Sequence, residues 1–177
     1  SPIQRSQITL NIRAVVDAYR LNGRIVNSDD GRLLAQEQVT GGKVQVFDMV
    51  DELATRLQGH LGRHEGQRRS VAVLEFDNGA GQGNVPFVNG IQQMLMTSLR
   101  QDRQLTLIEP SDIAEVAALP RPTGSTGRSA AVGIGRWVGA DVTIAGDFTD
   151  IVRLEVEVVS TGGRHLGTYR SESPRAE

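Results

Sequence analysis

A stretch near the amino terminus of the chain is echoed near its carboxyl terminus, and this half-repeat limits the folds open to it. Laying Asp17 to Ala35 over Asp150 to Gly167, with one residue deleted in the turn, pairs Asp17 with Asp150, Arg20 with Arg153, Leu21 with Leu154 and Val26 with Val159. It also pairs Gly31 with Gly163, Arg32 with Arg164 and Leu34 with Leu166. Each copy is a β-branched run that ends in a Gly turn, the pattern of a β-hairpin. The first copy is followed by a helical pattern around Leu53, and the second is preceded by a strand–helix–strand pattern. Two Gly-turn hairpins can match by chance. If they are duplicates instead, the chain holds one full unit plus the second half of another. The missing half then lies outside the sequence, or the first segment completes the second unit by permutation or by strand exchange between subunits.

The rest of the chain alternates strand and helix signals. Ile8 to Val16 and Tyr19 to Val26 read as two strands separated by Asp17-Ala18, and Leu33 to Val39 reads as a third after the Asp30-Gly31 turn. Val46, Val50, Leu53, Leu57 and Leu61 fall at spacings of three and four, with Asp48, Asp51 and Glu52 early and Arg56 late, which predicts an amphipathic helix. The polar run Gly62 to Arg69 marks a boundary between a partial hairpin–helix half-unit at 1–65 and an α/β domain at 69–177. In the latter, Ser70 to Phe76 is a buried-strand run, Asp77 to Asn84 a Gly-rich loop, and Pro86 opens a helix with Val88, Ile91, Leu95 and Leu99 inward. Leu105 to Ile108 is a strand, Ser111 caps a short helix ending near Leu119, Pro120 to Arg128 is a loop, and Ser129 to Val138 is a helix with Trp137 in the core. Asp141 to Ala145, Val152 to Val159 and His165 to Arg170 are the last strands. The whole reads as α/β, with helices packed on a mixed sheet and an extra N-terminal hairpin-plus-helix segment.

Charge and composition exclude several functions. The 177 residues carry 19 Lys and Arg against 21 Asp and Glu. Up to Arg68 there are nine basic and eight acidic residues; beyond it, ten and thirteen, so neither stretch has the basic excess that phosphate-backbone binding needs. Aromatics at 4% leave few stacking platforms for single strands. With no Cys there is no disulfide, no Cys-ligated metal and no thiol nucleophile. No run approaches the roughly 18 apolar residues of a membrane span, and Ser1-Pro2-Ile3-Gln4-Arg5 lacks the apolar stretch of a signal peptide. The expectation is a soluble chain, in mature or trimmed form.

Several stretches resemble the CsgG-like and TolB-N-terminal-like domains. They are Ser70 to Asn78 with the Gly-rich loop after it, the helix ending Leu95-Met96-Thr97-Ser98-Leu99, Leu105 to Pro110, and Gly135 to Gly146 with its Gly139-Ala140-Asp141. Val26 to Leu34 and Phe47 to Ala54 are similar to the same family's hairpin and closing helix, although in an order the family does not show. Glu109-Pro110 stands where many relatives have Glu-Arg, and the family's membrane-spanning hairpin insert is absent. The resemblance implies a non-enzymatic periplasmic protein, in some relatives outer-membrane associated, that serves secretion, flagellar or envelope assembly. Its partners would be copies of itself, a ring among the arrangements, and other envelope proteins, with any lipid anchor outside this chain and no cofactor.

Candidate chemistry is sparse. Gly79, Gly81 and Gly83 sit between a strand and a helix, where backbone N–H groups and the helix dipole can cradle a phosphate, but Asn84 breaks the dinucleotide spacing and no Lys-Ser/Thr follows. They support an alternative reading, a sensory or regulatory module for a small ligand or nucleotide. His60 and His64 are four apart without an evident acidic third ligand beyond Glu65, so no metal site is assigned. Glu75, Asp77 and Asp147 would make an acid/base pair only if the fold gathered them. Ser125 and Ser129 lack the nucleophile elbow, and no catalytic residue is assigned. Asp48, Asp51, Glu52 and Arg56 form a charged helix face, a candidate for protein contact.

Overall fold

The computed structural model describes residues 8–61, 67–80, 85–120 and 127–174. Its frame is a pair of long antiparallel strands, β1 (Ile8–Asn27, 20 residues) and β6 (Val142–Ser160, 19 residues), paired from Ile8 opposite Ser160 to Asn27 opposite Val142. β2 (Leu33–Gly42) returns antiparallel along β1, and a 3-10 turn (Lys43–Gln45) leads into α1 (Val46–Leu61). β3 (Arg69–Val73), β4 (Asp77–Gly79), α2 (Val85–Leu99), β5 (Leu105–Leu107), α3 (Pro110–Ala117) and α4 (Gly127–Trp137) come between them, and β7 (His165–Pro174) closes the chain. The sheet runs β2-β1-β6-β3-β5, with β4 and β7 also on β6. β3 is parallel to β5 and β6, and β4 is parallel to β6. The protein is thus an α/β fold with helices on a mixed sheet, and residues on both sides of the 62–69 boundary share that sheet.

The period of two along β3 divides the core. Val71 and Val73 point into a cluster with Leu21, Ile25, Leu53, Leu57, Ile91 and Leu95, under α1 and α2. Ala72 and Leu74 point the other way, into a smaller cluster with Ile113, Ala131, Ile134 and Ala140, under α3 and α4. The predicted inward faces of α1 and α2 are the ones buried: Val46, Val50, Leu53, Leu57 and Leu61 in α1, and Val88, Ile91, Leu95 and Leu99 in α2. Each fully buried Leu contributes about 2 kcal/mol of transfer free energy. The close fit of α1 depends on Gly23, where an added Cβ would lie 3.1 Å from Leu53 Cδ1.

Several expectations need correction. Asp17-Ala18 does not separate a pair of strands: β1 runs through it with a register shift between Val15 and Ala18, because β6 pairs with it on both sides of the shift. For the same reason the expected strands at Asp141 to Ala145 and Val152 to Val159 are one, β6. Asp77 to Gly79, expected as loop, is a short strand on β6. Ser111 caps nothing. Glu109 holds the cap position of α3 without a side-chain hydrogen bond, and Pro110 opens the helix, where its missing N–H costs nothing. Trp137 is 75% exposed, since it lies on the last turn of α4 past the buried face of Ala131, Ile134 and Gly135. The expected loop at Pro120 to Arg128 lies mostly outside the described residues.

The two hairpins match in hydrogen bonding as well as in sequence. In the first, Gly31 N donates to Asn27 O (2.9 Å) and Asn27 N to Arg32 O (2.9 Å); in the second, Gly163 N donates to Ser160 O (2.8 Å) and Ser160 N to Arg164 O (2.9 Å). Gly31 and Gly163 sit at φ 75° and 80°, a conformation that favours glycine. Both ladders slip by one residue at corresponding places, between Ile25 and Val26 and between Val158 and Val159. β1 and β6 then pair so that, apart from the register shift between Val15 and Ala18, the antiparallel ladder relates one hairpin to the other by a local two-fold axis.

Candidate functional site

Two features stand out, a crevice in the α/β body and a ribbon projecting from it. From β3 the chain crosses through α2 to β5 on one side, then through α3 and α4 to β6 on the other, so the strand order reverses between β3 and β6. In open α/β sheets the space beyond the carboxyl ends of such strands is where ligands bind. A cavity of about 450 Å³ opens there, with Leu74, Glu75 and Asp77 following β3 and Ala145 and Gly146 on β6. Its inner wall is apolar, with Ile113, Ala131 and Ile134; Arg24, Glu75, Asp77 and Gln92 supply polar groups. Gln92 is 6% exposed and donates from Nε2 to Val73 O at 2.7 Å, which fixes the side chain at the end of β3.

The sequence-predicted residues fall around this crevice unevenly. Asp77 and Asp147 are brought together as ladder partners. Asp147, however, accepts hydrogen bonds from Asn22 Nδ2 (2.8 Å) and Thr149 Oγ1 (3.2 Å) and lies 4.0 Å from Arg24 Nη1, so its carboxylate holds the hairpin to β6. Gly79 is in β4, where an added Cβ would lie 3.3 Å from Phe148 O; Gly81 and Gly83 lie outside the described residues. His60 Nε2 meets Glu37 Oε1 at 2.8 Å, and His64 and Ser125 lie outside the described residues. Among the described residues no group of three or more His, Asp or Glu is placed to hold a metal ion. No helix among them is long and apolar enough to cross a membrane.

The charged face of α1 is exposed at Asp48, Asp51, Glu52 and Arg56. Some of it is engaged within the chain. Arg56 pairs with Glu52 and donates to Gln38 O at 2.8 Å, and Asp51 Oδ1 accepts from Ser98 Oγ at 2.9 Å.

Sequence reasoning did not reach Arg24 and Gln92 as crevice residues, because strand order decides their placement and a single sequence carries no direct sign of it. It also did not reach the ribbon. Beyond Ile151, β6 is flanked by the first half of β1 on one side and by β7 on the other. Among the described residues no helix lies on it as α1 lies on β1 and β2, and Ile8 (61%), Leu166 (52%) and Tyr169 (76%) are exposed on it. The available signal was the half-repeat, which gave the second hairpin no closing helix.

No protein-family model matches the chain, and no curated protein does. Among solved structures, the LpoB C-terminal domain from Salmonella enterica is 17% identical, with 71% of this chain and 96% of that one covered at a TM-score of 0.43. The LpoB C-terminal domain from Escherichia coli is 17% identical, with 73% and 98% covered and a TM-score of 0.43.

Proposed function

We propose that the protein is a non-enzymatic component of a bacterial envelope assembly, periplasmic or outer-membrane associated, which serves a secretion, flagellar or envelope machine through self-association and contacts with other proteins. The observation that carries this reading is the ribbon, a three-stranded sheet with apolar side chains exposed and a strand edge open along Ile8 to Val15 among the described residues. Open edges of this kind pair with other chains unless they are covered. The resemblance to CsgG-like and TolB-N-terminal-like domains adds the compartment and the class of machine. Light scattering over a concentration series tests self-association: a mass well above 19.1 kDa supports it, and a constant monomer removes it.

A second reading, a small-ligand or nucleotide sensor, is favoured by the crevice at the strand-order reversal. Binding there stabilises the native state by mass action, so thermal unfolding with added ATP or NAD tests it. An unchanged melting temperature at millimolar ligand removes that reading.

A further inference from the structure

The local two-fold axis says what the ribbon lacks. Because Ile25 pairs with Ile144 and its copy Val158 pairs with Leu10, Leu10 occupies in the ribbon the place of Ile144 in the body. By the same construction Ile8 stands for Val142, and Arg13 stands for Asp147. In the body, the outer edge of Val142–Ile144 takes the parallel strand Val71–Val73, and Asp147–Thr149 takes Asp77–Gly79. The corresponding edge in the ribbon, Ile8–Leu10 and Arg13–Val15, has no strand on it among the described residues.

Burial follows the same division. Val142 is 2% exposed under its neighbours, and its counterpart Ile8 is 61% exposed. Glu37, where β2 meets α1 through Arg56 and His60, has as its counterpart Tyr169, 76% exposed. Apolar residues nonetheless persist at the ribbon's equivalents of Leu21 and Ile25, which are Leu154 and Val158. The charges across the long ladder are inverted between the halves. Asp147 faces Asn22 and Arg24 in the body, whereas in the ribbon Arg13 stands in register with Glu155, two residues from Glu157. Each hairpin is therefore matched to its own half.

We propose that the edge of β1 from Ile8 to Val15 docks a strand–helix–strand module of the same repeat as Arg69–Asp141, whose first strand pairs in parallel at Ile8–Leu10 and whose helices cover the ribbon. The inference rests on the reading of the ribbon as a contact surface and names the class of partner.

The test is a tandem chain in which a second copy of residues 67–141 is joined directly ahead of Ile8. Amide hydrogen exchange is compared with that of the 177-residue chain. Exchange across Ile8 to Val15 and across Val152 to Val159 slows by about tenfold or more, the factor that corresponds to about 1.4 kcal/mol of added local stability. Unchanged exchange there, in a tandem chain whose Val142–Ile144 amides stay protected, overturns the proposal. Should the tandem chain not fold, a synthetic Arg69–Leu74 strand is titrated into the 177-residue chain and followed by amide NMR. Shifts confined to Ile8–Val15 support the docking edge, and shifts elsewhere or none overturn it. Self-association of the 177-residue chain without slowed exchange in the tandem chain removes this inference alone; a constant monomer with slowed exchange removes self-association alone.

Discussion

The hydroxyls of Ser28 and Thr143 lie 3.0 Å apart, both without solvent access, one in the turn of the first hairpin and the other near the start of β6. Gly135 of α4 closes over them. Arg136 reinforces the junction by donating from Nε to Ser28 O at 2.9 Å and from its guanidinium to Asp29 O, and Arg128 Nε donates to Gly31 O at 2.9 Å. The first hairpin is thus clamped at its turn by one helix while another covers its face.

A Cβ at position 135 would lie 2.6 Å from Ser28 Oγ and closer still to Thr143 Oγ1. Alanine favours a helix over glycine by up to about 1 kcal/mol, but here overpacking against two buried hydroxyls outweighs that gain. Gly135→Ala is expected to lose about 1–3 kcal/mol, read as a lower urea midpoint with an unchanged slope.

Gly146→Ala is expected to be worse. The added methyl would lie 2.9 Å from Phe76 Cδ2 and nearer still to the backbone carbonyl of Asn22, and a backbone group of the paired β1 cannot rotate away as a hydroxyl can. Thermal unfolding should place Gly146→Ala below Gly135→Ala, with each 1 kcal/mol of loss lowering the midpoint by about 2–4 °C. The reverse order would show that β1 and β6 separate more easily than the ladder implies.

Leu53 is 0% exposed and sits over Gly23. Leu53→Ala should cost about 2–5 kcal/mol, because the glycine beneath offers no side chain to fill the cavity. Calorimetry would also reveal whether α1 and the first hairpin melt with the rest of the body; a separate early transition would show that they are not one cooperative unit with it.

Trp137 is the one tryptophan of the chain and is 75% exposed. Its fluorescence should be readily quenched by acrylamide in the folded protein, and Trp137→Ala should change stability by no more than about 0.5 kcal/mol. A quenching-resistant indole would place it in an interface.

Much of the fold was legible because its signals are local. The spacing of Val46, Val50, Leu53, Leu57 and Leu61 marked α1, and the glycines at 31 and 163 marked both turns. What escaped was set by pairing across distance. Asp17 and Asp150 look like turn residues, yet both are carried through by strands whose partners lie more than a hundred residues away in sequence. The same long-range pairing gathers Arg24 from the first hairpin, Gln92 from α2 and Ile113 from α3 around one crevice. Trp137 was misplaced because a helical period shows which residues share a face but not where the neighbouring layer ends.

The length of β1 and β6 also bears on how the molecule carries load. At about 3.3 Å per residue each strand extends for roughly 65 Å, and each passes without a break from the helix-covered body into the ribbon. A tug on the ribbon along the strand axis would slide two antiparallel strands past each other. Their cross-strand bonds would then resist together, as rivets do in shear, where a pull at a hairpin tip would open them one at a time like a zipper. Tension on the distal sheet would therefore pass along β1 and β6 into the body, through the register shift between Val15 and Ala18.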